Sequence, residues 1–206
     1  MTGSADDLRG QFGEIDIYLF DQLLWGRIVR GMRILDAGCG TGRNLVYFLR
    51  EGFDVWAVDE SEDAIDQARK LAATLRPSFE RDRFSVGSVD ELPYADASMD
   101  VVISSAVLHF ARDEGHWTKM VDEMWRVLAS GGMLFSRLGI TIGQEGKLKS
   151  LGGRRYLTPD GSERFLVDEA MLMATSGRLG ATLLDPLKTT VVQNLRSMAT
   201  WVMRKK

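Results

Sequence analysis

The stretch Arg33-Ile-Leu-Asp-Ala-Gly-Cys-Gly-Thr-Gly-Arg-Asn44 decides how the chain folds. An apolar run leads into an acid, Asp36, and three alternate positions are then glycines, Gly38, Gly40 and Gly42, directly before a helix-like sequence. Glycine accepts positive φ and has no Cβ, so the backbone can come close to a ligand. The N-terminus of the next helix adds unpaired N–H groups and a partial positive charge. The order of strand, glycine turn and helix therefore predicts a ligand site.

Strand-like and helix-like segments alternate after this stretch. Short apolar or β-branched runs predict further strands, with amphipathic helices between them, at 54–59, 83–86, 99–104 and 133–138. The runs 182–192 and 195–203 leave little room for a helix, so they are expected to pair as antiparallel neighbours at one edge of the sheet. This pattern predicts an α/β fold with a seven-stranded, doubly wound, mostly parallel sheet, an antiparallel C-terminal strand and helices on both faces.

The whole chain, 1–206, is expected to form a single domain, because 206 residues suit one α/β core and no low-complexity linker interrupts them. Residues 1–31 are expected to form an N-terminal helical cap, since apolar residues from Ile17 onward recur at helical spacing. Residues 139–166 break the alternation. They are rich in Gly, Lys and Arg and contain the turn Pro159-Asp-Gly-Ser162, which predicts an inserted loop or hairpin over the substrate side of the site.

Composition argues against several classes of function. The net charge is −3, so the chain lacks the basic surface that nucleic acids or anionic membranes attract. One cysteine, Cys39, excludes an internal disulfide and a cysteine-built metal site, and it suits a reducing compartment. Residues 1–13 do not have the pattern of a signal peptide, and no apolar run approaches the ~20 residues of a membrane span. We therefore expect a cytoplasmic protein that uses no metal and binds neither nucleic acid nor membrane.

A dinucleotide is the first candidate ligand for the glycine turn. The nicotinamide fingerprint G-x-G-x-x-G needs a glycine at position 43 here, and an acid about 20 residues further on. Asp59 meets the second requirement, but Arg43 stands where the third glycine belongs, and that glycine is Gly42 instead. The chain is also short for a dehydrogenase with a second, substrate-binding domain. An oxidoreductase is therefore the weaker hypothesis.

The acid-first pattern from Asp36 to Gly42 resembles motif I of the class I S-adenosylmethionine-dependent methyltransferases. Four further stretches resemble, in order and spacing, the family's ribose-binding acid, its adenine-side loop, the motif after the fourth strand and the helix–Gly-Gly–strand signature: 58–61, 87–94, 100–109 and 126–134. The resemblance covers about residues 32–138. It implies a Rossmann-like methyltransferase that takes S-adenosyl-L-methionine as its cofactor and acts on a small molecule.

The resemblance also implies which residues contact the cofactor. Asp36 would stabilise its ammonium group, directly or through water, and Asp59 would accept both ribose hydroxyls. The family often has an acid where this chain has Ser88, so either that hydroxyl or the neighbouring Asp90 would meet the adenine amino group. The complete set of expected cofactor contacts is Asp36, Gly38, Cys39, Gly40, Gly42, Asn44, Asp59, Glu60, Ser88, Val89, Ser104 and Tyr18.

Several of these residues also have a purely structural interpretation. Asp36 could orient the glycine loop, Tyr18 could be a core residue rather than a lid over the cofactor, and Cys39 reads as a small packed residue rather than a nucleophile. His109 follows the fourth strand, at the sheet edge where ligands bind, and is the candidate general base; packing against the pocket wall is the alternative. His116 is expected at the surface.

The sequence leaves two functions open, an enzyme and a non-catalytic S-adenosylmethionine-binding subunit or sensor. The sulfonium methyl group is already electrophilic, so placing a nucleophile in line with it can suffice, without a catalytic acid or base. The family's motif for methylating base amino groups, Asn/Asp-Pro-Pro-Tyr/Phe, is absent, which argues against DNA as substrate. Arg43, and Arg154 to Tyr156 in the insert, could contact an acidic substrate or could simply be solvated.

Overall fold

A computed structural model of the chain describes residues 5–193 and 195–206. Residues 1–4, the beginning of the expected N-terminal cap, lie outside the described residues. The helices of the described part are α1 (Ala5–Phe12), α2 (Ile17–Leu24), α3 (Val46–Arg50), α4 (Glu62–Leu75), α5 (Glu114–Val127) and α6 (Glu169–Arg178). The first two precede the sheet. None of the helices described has the length and apolarity needed to cross a membrane.

The strands form one large sheet and one small one. The large sheet contains β1 (Arg33–Ala37), β2 (Asp54–Asp59), β3 (Phe84–Val86), β4 (Met99–Ser105), β5 (Leu128–Gly139), β9 (Thr182–Leu183), β10 (Lys188–Val192) and β11 (Arg196–Arg204). The small sheet contains β6 (Lys149–Gly152), β7 (Arg155–Leu157) and β8 (Glu163–Phe165). Its strands lie in the order β6-β7-β8 within the predicted insert.

The large sheet has the order β10-β11-β5-β4-β1-β2-β3, and β9 pairs with β11. Neighbours from β3 to β5 are parallel, while β11 is antiparallel to both β5 and β10. The predicted fold is therefore confirmed. The carboxyl ends of β1, β2, β4 and β5 meet at one edge of the sheet, where ligands of such folds bind.

The β-rich run predicted over 182–192 is two strands rather than one. β9 pairs with β11 over two residues, and β10 pairs with it over five. The break between them contains Pro186, which has no backbone N–H to donate to a strand ladder. The proline therefore explains why the run is interrupted.

Two apolar clusters cover the two faces of the large sheet. Alternate residues of β1 belong to different clusters, Ile34 to one and Leu35 to the other, because side chains alternate across a strand. Helices α3 and α4 pack on the face that contains Ile34, and α5 and α6 pack on the face that contains Leu35. On the latter face the buried Trp117 of α5 stacks on Trp201 of β11, with 6.3 Å between ring centroids. Helices thus cover both faces, and the sheet edge is left for the site.

Candidate functional site

The glycine turn after β1 brings backbone against the loop that follows β4. All three of its glycines have positive φ. A Cβ on Gly38 would lie 2.4 Å from Cγ2 of Val107, so this position has no room for a side chain. A Cβ on Gly42 would instead meet Leu71 and Ala68 of α4. Gly42 therefore packs against a helix, whereas Gly38 faces the open edge of the sheet.

A cavity of about 620 Å³, here called the glycine-loop cavity, opens beside this turn. Seven of the residues that sequence analysis expected to contact a cofactor line it: Gly38, Cys39, Gly40, Asn44, Asp59, Glu60 and Val89. Cys39 is buried, and burial, followed by the charges of Asp36 and Asp59, raises the pKa of its thiol. The thiol is therefore a packed group in the cavity wall and not an activated nucleophile.

Asp59 links the end of β2 to the glycine turn. One carboxylate oxygen accepts the backbone N–H of Gly40 at 2.8 Å, and the other accepts the N–H of Ser61 at 3.0 Å. Each oxygen of an ionised carboxylate has a second lone pair. Asp59 can therefore hold the loop and still accept hydroxyl groups from a ligand.

Asp36, at the end of β1, is 1% exposed and lies behind the glycine turn rather than on the cavity surface. Neither of its carboxylate oxygens has a hydrogen-bond partner among the described residues. Burial raises its pKa to about 7, although the charge of Arg43 acts in the opposite direction. A buried acid without a partner is costly, and a cation or a bridging water would relieve that cost. This arrangement fits a ligand that carries an ammonium group.

Three other expected contacts lie away from this cavity. Ser104 is fully buried and Ser105 lines the cavity in its place, because successive residues of a strand point in opposite directions. The hydroxyl of Tyr18 is 2.7 Å from Oγ1 of Thr190 on β10, so this ring is not a lid over the glycine turn. The Ser88 hydroxyl lies outside the cavity wall, within hydrogen-bond distance of the Glu60 and Asp90 carboxylates, and donates its one proton to either of them.

His116 lines the glycine-loop cavity and its side chain is only 10% exposed, so the prediction that it lies at the surface was wrong. Asp113 caps α5 by accepting the N–H of His116 at 2.8 Å, which turns the first helical turn toward the cavity. The ring Nδ1 accepts the backbone N–H of Arg112 at 3.1 Å. In the neutral ring the proton therefore sits on Nε2, which has no hydrogen-bond partner among the described residues and lies 3.7 Å from a carboxylate oxygen of Asp90.

A second cavity of about 400 Å³, here called the insert cavity, lies between the end of the large sheet and the insert. It includes residues of β5, β8 and β11, such as Gly139, Arg164 and Ser197. Arg43, Ser105 and Ala106 line both cavities. At this shared wall the Arg43 guanidinium donates to the Ser105 hydroxyl at 2.9 Å. The two cavities are therefore neighbours.

His109 lines the insert cavity, but its surroundings do not favour the predicted role of general base. Its Nδ1 accepts the backbone N–H of Gly139 at 3.2 Å, so the neutral ring carries its proton on Nε2. Burial and then the charge of Arg164 lower its pKa to about 4. At neutral pH the imidazole is uncharged, and its free nitrogen can donate a hydrogen bond but cannot accept a proton.

The arginines that line the insert cavity are not those expected from the insert sequence. Arg154 pairs with Asp168 at 2.9 Å, and Arg155 pairs with Glu163 at 2.6 Å; neither lines the cavity. The arginines of the cavity wall are Arg43, Arg137, Arg164 and Arg196. Arg137 could have been expected from the sequence, because it lies near the carboxyl end of the predicted strand 133–138, at the sheet edge where ligands bind.

Comparison with known proteins finds similarity in the central part of the chain. Residues 34–132 match the family model described as a methyltransferase domain. Malonyl-[acyl-carrier protein] O-methyltransferase of Pectobacterium atrosepticum is 29% identical over 135 residues, which are 65% of this chain and 47% of that protein. Magnesium protoporphyrin IX methyltransferase from Synechocystis, solved with bound SAH (S-adenosylhomocysteine), superposes with a TM-score of 0.71 at 20% identity, covering 92% of this chain and 81% of that one.

The fold also occurs with another activity. The [4+2]-cyclase SpnF superposes with a TM-score of 0.70 at 18% identity, covering 91% of this chain and 80% of that one. Likeness at this level of identity shows the fold alone. The chain spans about half the length of the curated relatives it matches, 47% of one and 42% of another. The family match extends from the glycine turn through α5 and into β5, the region that lines the glycine-loop cavity.

Proposed function

We propose that the chain is an enzyme that transfers a methyl group from S-adenosyl-L-methionine to a small molecule, because residues 34–132 match a methyltransferase-domain model. One observation carries the proposal. Two acids at the ends of neighbouring parallel strands, Asp36 and Asp59, flank a glycine turn beside a cavity. This pair matches two polar groups of S-adenosylmethionine, the ammonium of its amino-acid part and the hydroxyls of its ribose.

The residues around the glycine-loop cavity suit the groups of this cofactor. Asp59 has lone pairs beyond those used by the chain, so it can accept ribose hydroxyls. Asp36 is buried without a partner among the described residues, so it can stabilise the ammonium directly or through water. Val89 and Met120 offer apolar surface to the adenine ring. A nicotinamide dinucleotide could also use Asp59 for a ribose, but its pyrophosphate would lie at the glycine turn, near the buried carboxyl of Asp36, where an ammonium is the better match.

The cofactor supplies a methyl group that is already electrophilic, so the protein's task is to orient the acceptor. The insert cavity adjoins the glycine-loop cavity along Arg43, Ser105 and Ala106, and we assign the acceptor to it. Orientation alone can lower a barrier by roughly 7–11 kcal/mol in favourable cases. We assign no residue to proton abstraction, because His109 is a hydrogen-bond donor at neutral pH.

The relatives support a small acceptor. By their names, the relatives quoted above act on malonyl-[acyl-carrier protein], an acyl group carried on a protein, and on magnesium protoporphyrin IX. Small compounds, free or carried as an acyl group, are therefore the substrates we propose. A single cysteine suits a reducing compartment, and we propose that the protein acts in the cytoplasm.

A second candidate is a subunit or sensor that binds S-adenosylmethionine without transferring its methyl group. The glycine turn and the two acids would serve it equally well. The insert cavity favours the enzyme, because a sensor of the cofactor alone has no need of a second polar cavity beside the first. A likeness to a cyclase shows that the fold by itself does not decide the reaction.

The experiment for the enzyme uses cofactor labelled in its methyl group and fractionated metabolite extracts. The proposal predicts that label passes to a small molecule in at least one fraction, and that the Asp59→Ala variant abolishes transfer. If the protein binds S-adenosylhomocysteine tightly and no fraction is ever labelled, the sensor is the better description.

A further inference from the structure

The insert cavity is positively charged, although the chain as a whole has a net charge of −3. Four arginines line it, and only two carboxylates do, Asp16 and Asp160. Clefts lined by one sign of charge concentrate ligands of the other sign. The charge of this cavity therefore favours an anionic ligand over a neutral or cationic one.

The two acids in the cavity wall are already occupied by the chain itself. Asp160 accepts hydrogen bonds from the Thr158 hydroxyl at 2.6 Å and from the backbone N–H of Ser162 at 3.0 Å. Asp16 caps α2 and lies 3.5 Å from the Arg137 guanidinium. The charge of Arg164 is felt at Asp160, whose pKa it helps to lower, but the Arg164 guanidinium forms no ion pair within 4 Å with any described carboxylate. It lies over the Phe110 ring and donates to the Glu163 carbonyl, so it can still bind a ligand.

Buried polar groups without partners line the same cavity, and they are a second, independent sign of a ligand. Gln144 is 1% exposed, and neither its amide nitrogen nor its amide oxygen has a partner among the described residues. The buried hydroxyl of Ser197 and Nε of Arg137 are likewise without partners in the described part of the chain. Leaving such groups unpaired costs free energy. A polar ligand in the cavity would remove that cost.

Most of these free groups are hydrogen-bond donors. Arg137 offers Nε–H, Gln144 offers its NH₂ group, and His109 offers Nε2–H because its Nδ1 already accepts from Gly139. A ligand rich in acceptors and negatively charged matches this set. Arginine in particular binds planar oxyanions through two parallel hydrogen bonds.

We propose, building on the proposed function, that the insert cavity binds the methyl acceptor through a carboxylate group held by Arg137, Arg164 and the Gln144 amide. A phosphate is the other oxyanion to consider. Of the two arginines assigned to the ligand, Arg137 already pairs with Asp16 at 3.5 Å, and only Arg164 has no ion pair among the described residues. One positive charge is therefore left for the ligand, which matches a singly charged carboxylate better than a doubly charged phosphate. The acceptor is therefore a carboxylic acid rather than a phosphate ester.

Calorimetric titration tests this proposal on the full chain saturated with S-adenosylhomocysteine. The probes are aliphatic and aromatic carboxylic acids, each paired with its own amide, together with phosphate esters of similar size. We expect at least one acid to bind about tenfold or more tightly than its amide, because the amide loses hydrogen bonds between charged partners. Acids that bind no better than their amides, or phosphate esters that bind when no acid does, would overturn the proposal. Failure to bind S-adenosylhomocysteine at all would instead overturn the proposed function.

Two variants and a matched control locate the effect. We expect Arg164→Gln to weaken the best acid about tenfold while leaving its amide unchanged, because only the acid uses the charge of the arginine. Gln144→Leu should also weaken the acid about tenfold, and it should weaken the amide as well because Gln144 is an uncharged donor. Arg155→Gln is the control, since Arg155 is an arginine of the same small sheet that pairs with Glu163 and does not line the cavity. Thermal melting shows whether each variant folds. If one of the two does not, the acid affinity of the other tests the assignment. Unchanged acid affinity in the folded variants would contradict the assignment.

Discussion

The carboxylate of Asp59 accepts the backbone N–H of Gly40 at 2.8 Å, so the residue that we assign to the ribose also holds the glycine turn in place. Its other oxygen accepts the N–H of Ser61, whose hydroxyl caps α4. One side chain thereby fixes the end of β2, the loop after β1 and the start of a helix. Ligand binding and the shape of the loop are consequently coupled through this residue.

Replacing this carboxylate should weaken cofactor binding strongly. We expect Asp59→Ala to raise the Kd for S-adenosylhomocysteine by more than about tenfold, because charge-assisted hydrogen bonds are worth ~1.5–3 kcal/mol. Calorimetry measures the Kd directly. Asp63→Asn is a suitable control, since Asp63 is exposed in the first turn of α4 and outside the cavity wall. An affinity equal to that of the unmodified protein would remove Asp59 from the ribose role.

The affinity for S-adenosylhomocysteine should depend on pH through Asp36. Burial raises the pKa of this group to about 7, and an ammonium favours its ionised form, so affinity is highest above pH 7 and is lost as the pH falls. If only the ionised form binds well, affinity falls roughly 15-fold from pH 7 to pH 5.5. Titrations of the protein and of Asp36→Asn across this range isolate the contribution of Asp36. Parallel profiles for the two proteins would contradict the prediction.

The contact between Gly38 and Val107 predicts a rescue. Gly38→Ala places a Cβ 2.4 Å from Cγ2 of Val107 at positive φ, and should destabilise the fold by about 1–3 kcal/mol. Adding Val107→Ala makes room, so the double variant should recover the part of the loss that comes from the clash. Urea denaturation of the four proteins of this cycle gives the coupling free energy. Strictly additive losses would show that the two side chains do not meet.

The imidazole of His109 should remain neutral well into the acid range. Its pKa is lowered to about 4, first by burial and then by Arg164, and its Nδ1 accepts a hydrogen bond from the chain. In nuclear magnetic resonance spectra of the labelled protein, we expect the Nε2–H tautomer and no titration of this ring between pH 5.5 and pH 8. A midpoint near 6.5 would restore His109 as a candidate base.

The fold was predictable because its signals are periodic and local. Buried parallel strands such as β4 are nearly continuous apolar runs, and glycine or proline marks where elements end. The chain position of the glycine turn and of Asp59 followed from the same local patterns. Pro186 is present in the sequence, but the strand-like residues on both sides of it made residues 182–192 look like one continuous run.

The second cavity was not predictable in the same way, because it depends on side-chain direction. Ser104 and Ser105 differ only in the direction they face, which the register of β4 sets. Arg154 and Arg164 both belong to the insert, yet the first pairs with Asp168 and the second lines the cavity. Gln144 lies in an irregular segment where no periodicity applies. Tertiary packing, which a single sequence does not display, decides each of these positions.

Calorimetric titration of the full chain with S-adenosylhomocysteine, and separately with NAD, tests the central claim most directly. The two carboxylates at the glycine turn predict binding of S-adenosylhomocysteine with one site per chain, and no heat from NAD at about 1 mM ligand, where a dissociation constant in the millimolar range would still be detected. Binding of NAD in place of S-adenosylhomocysteine, or no heat from either ligand, would contradict the account.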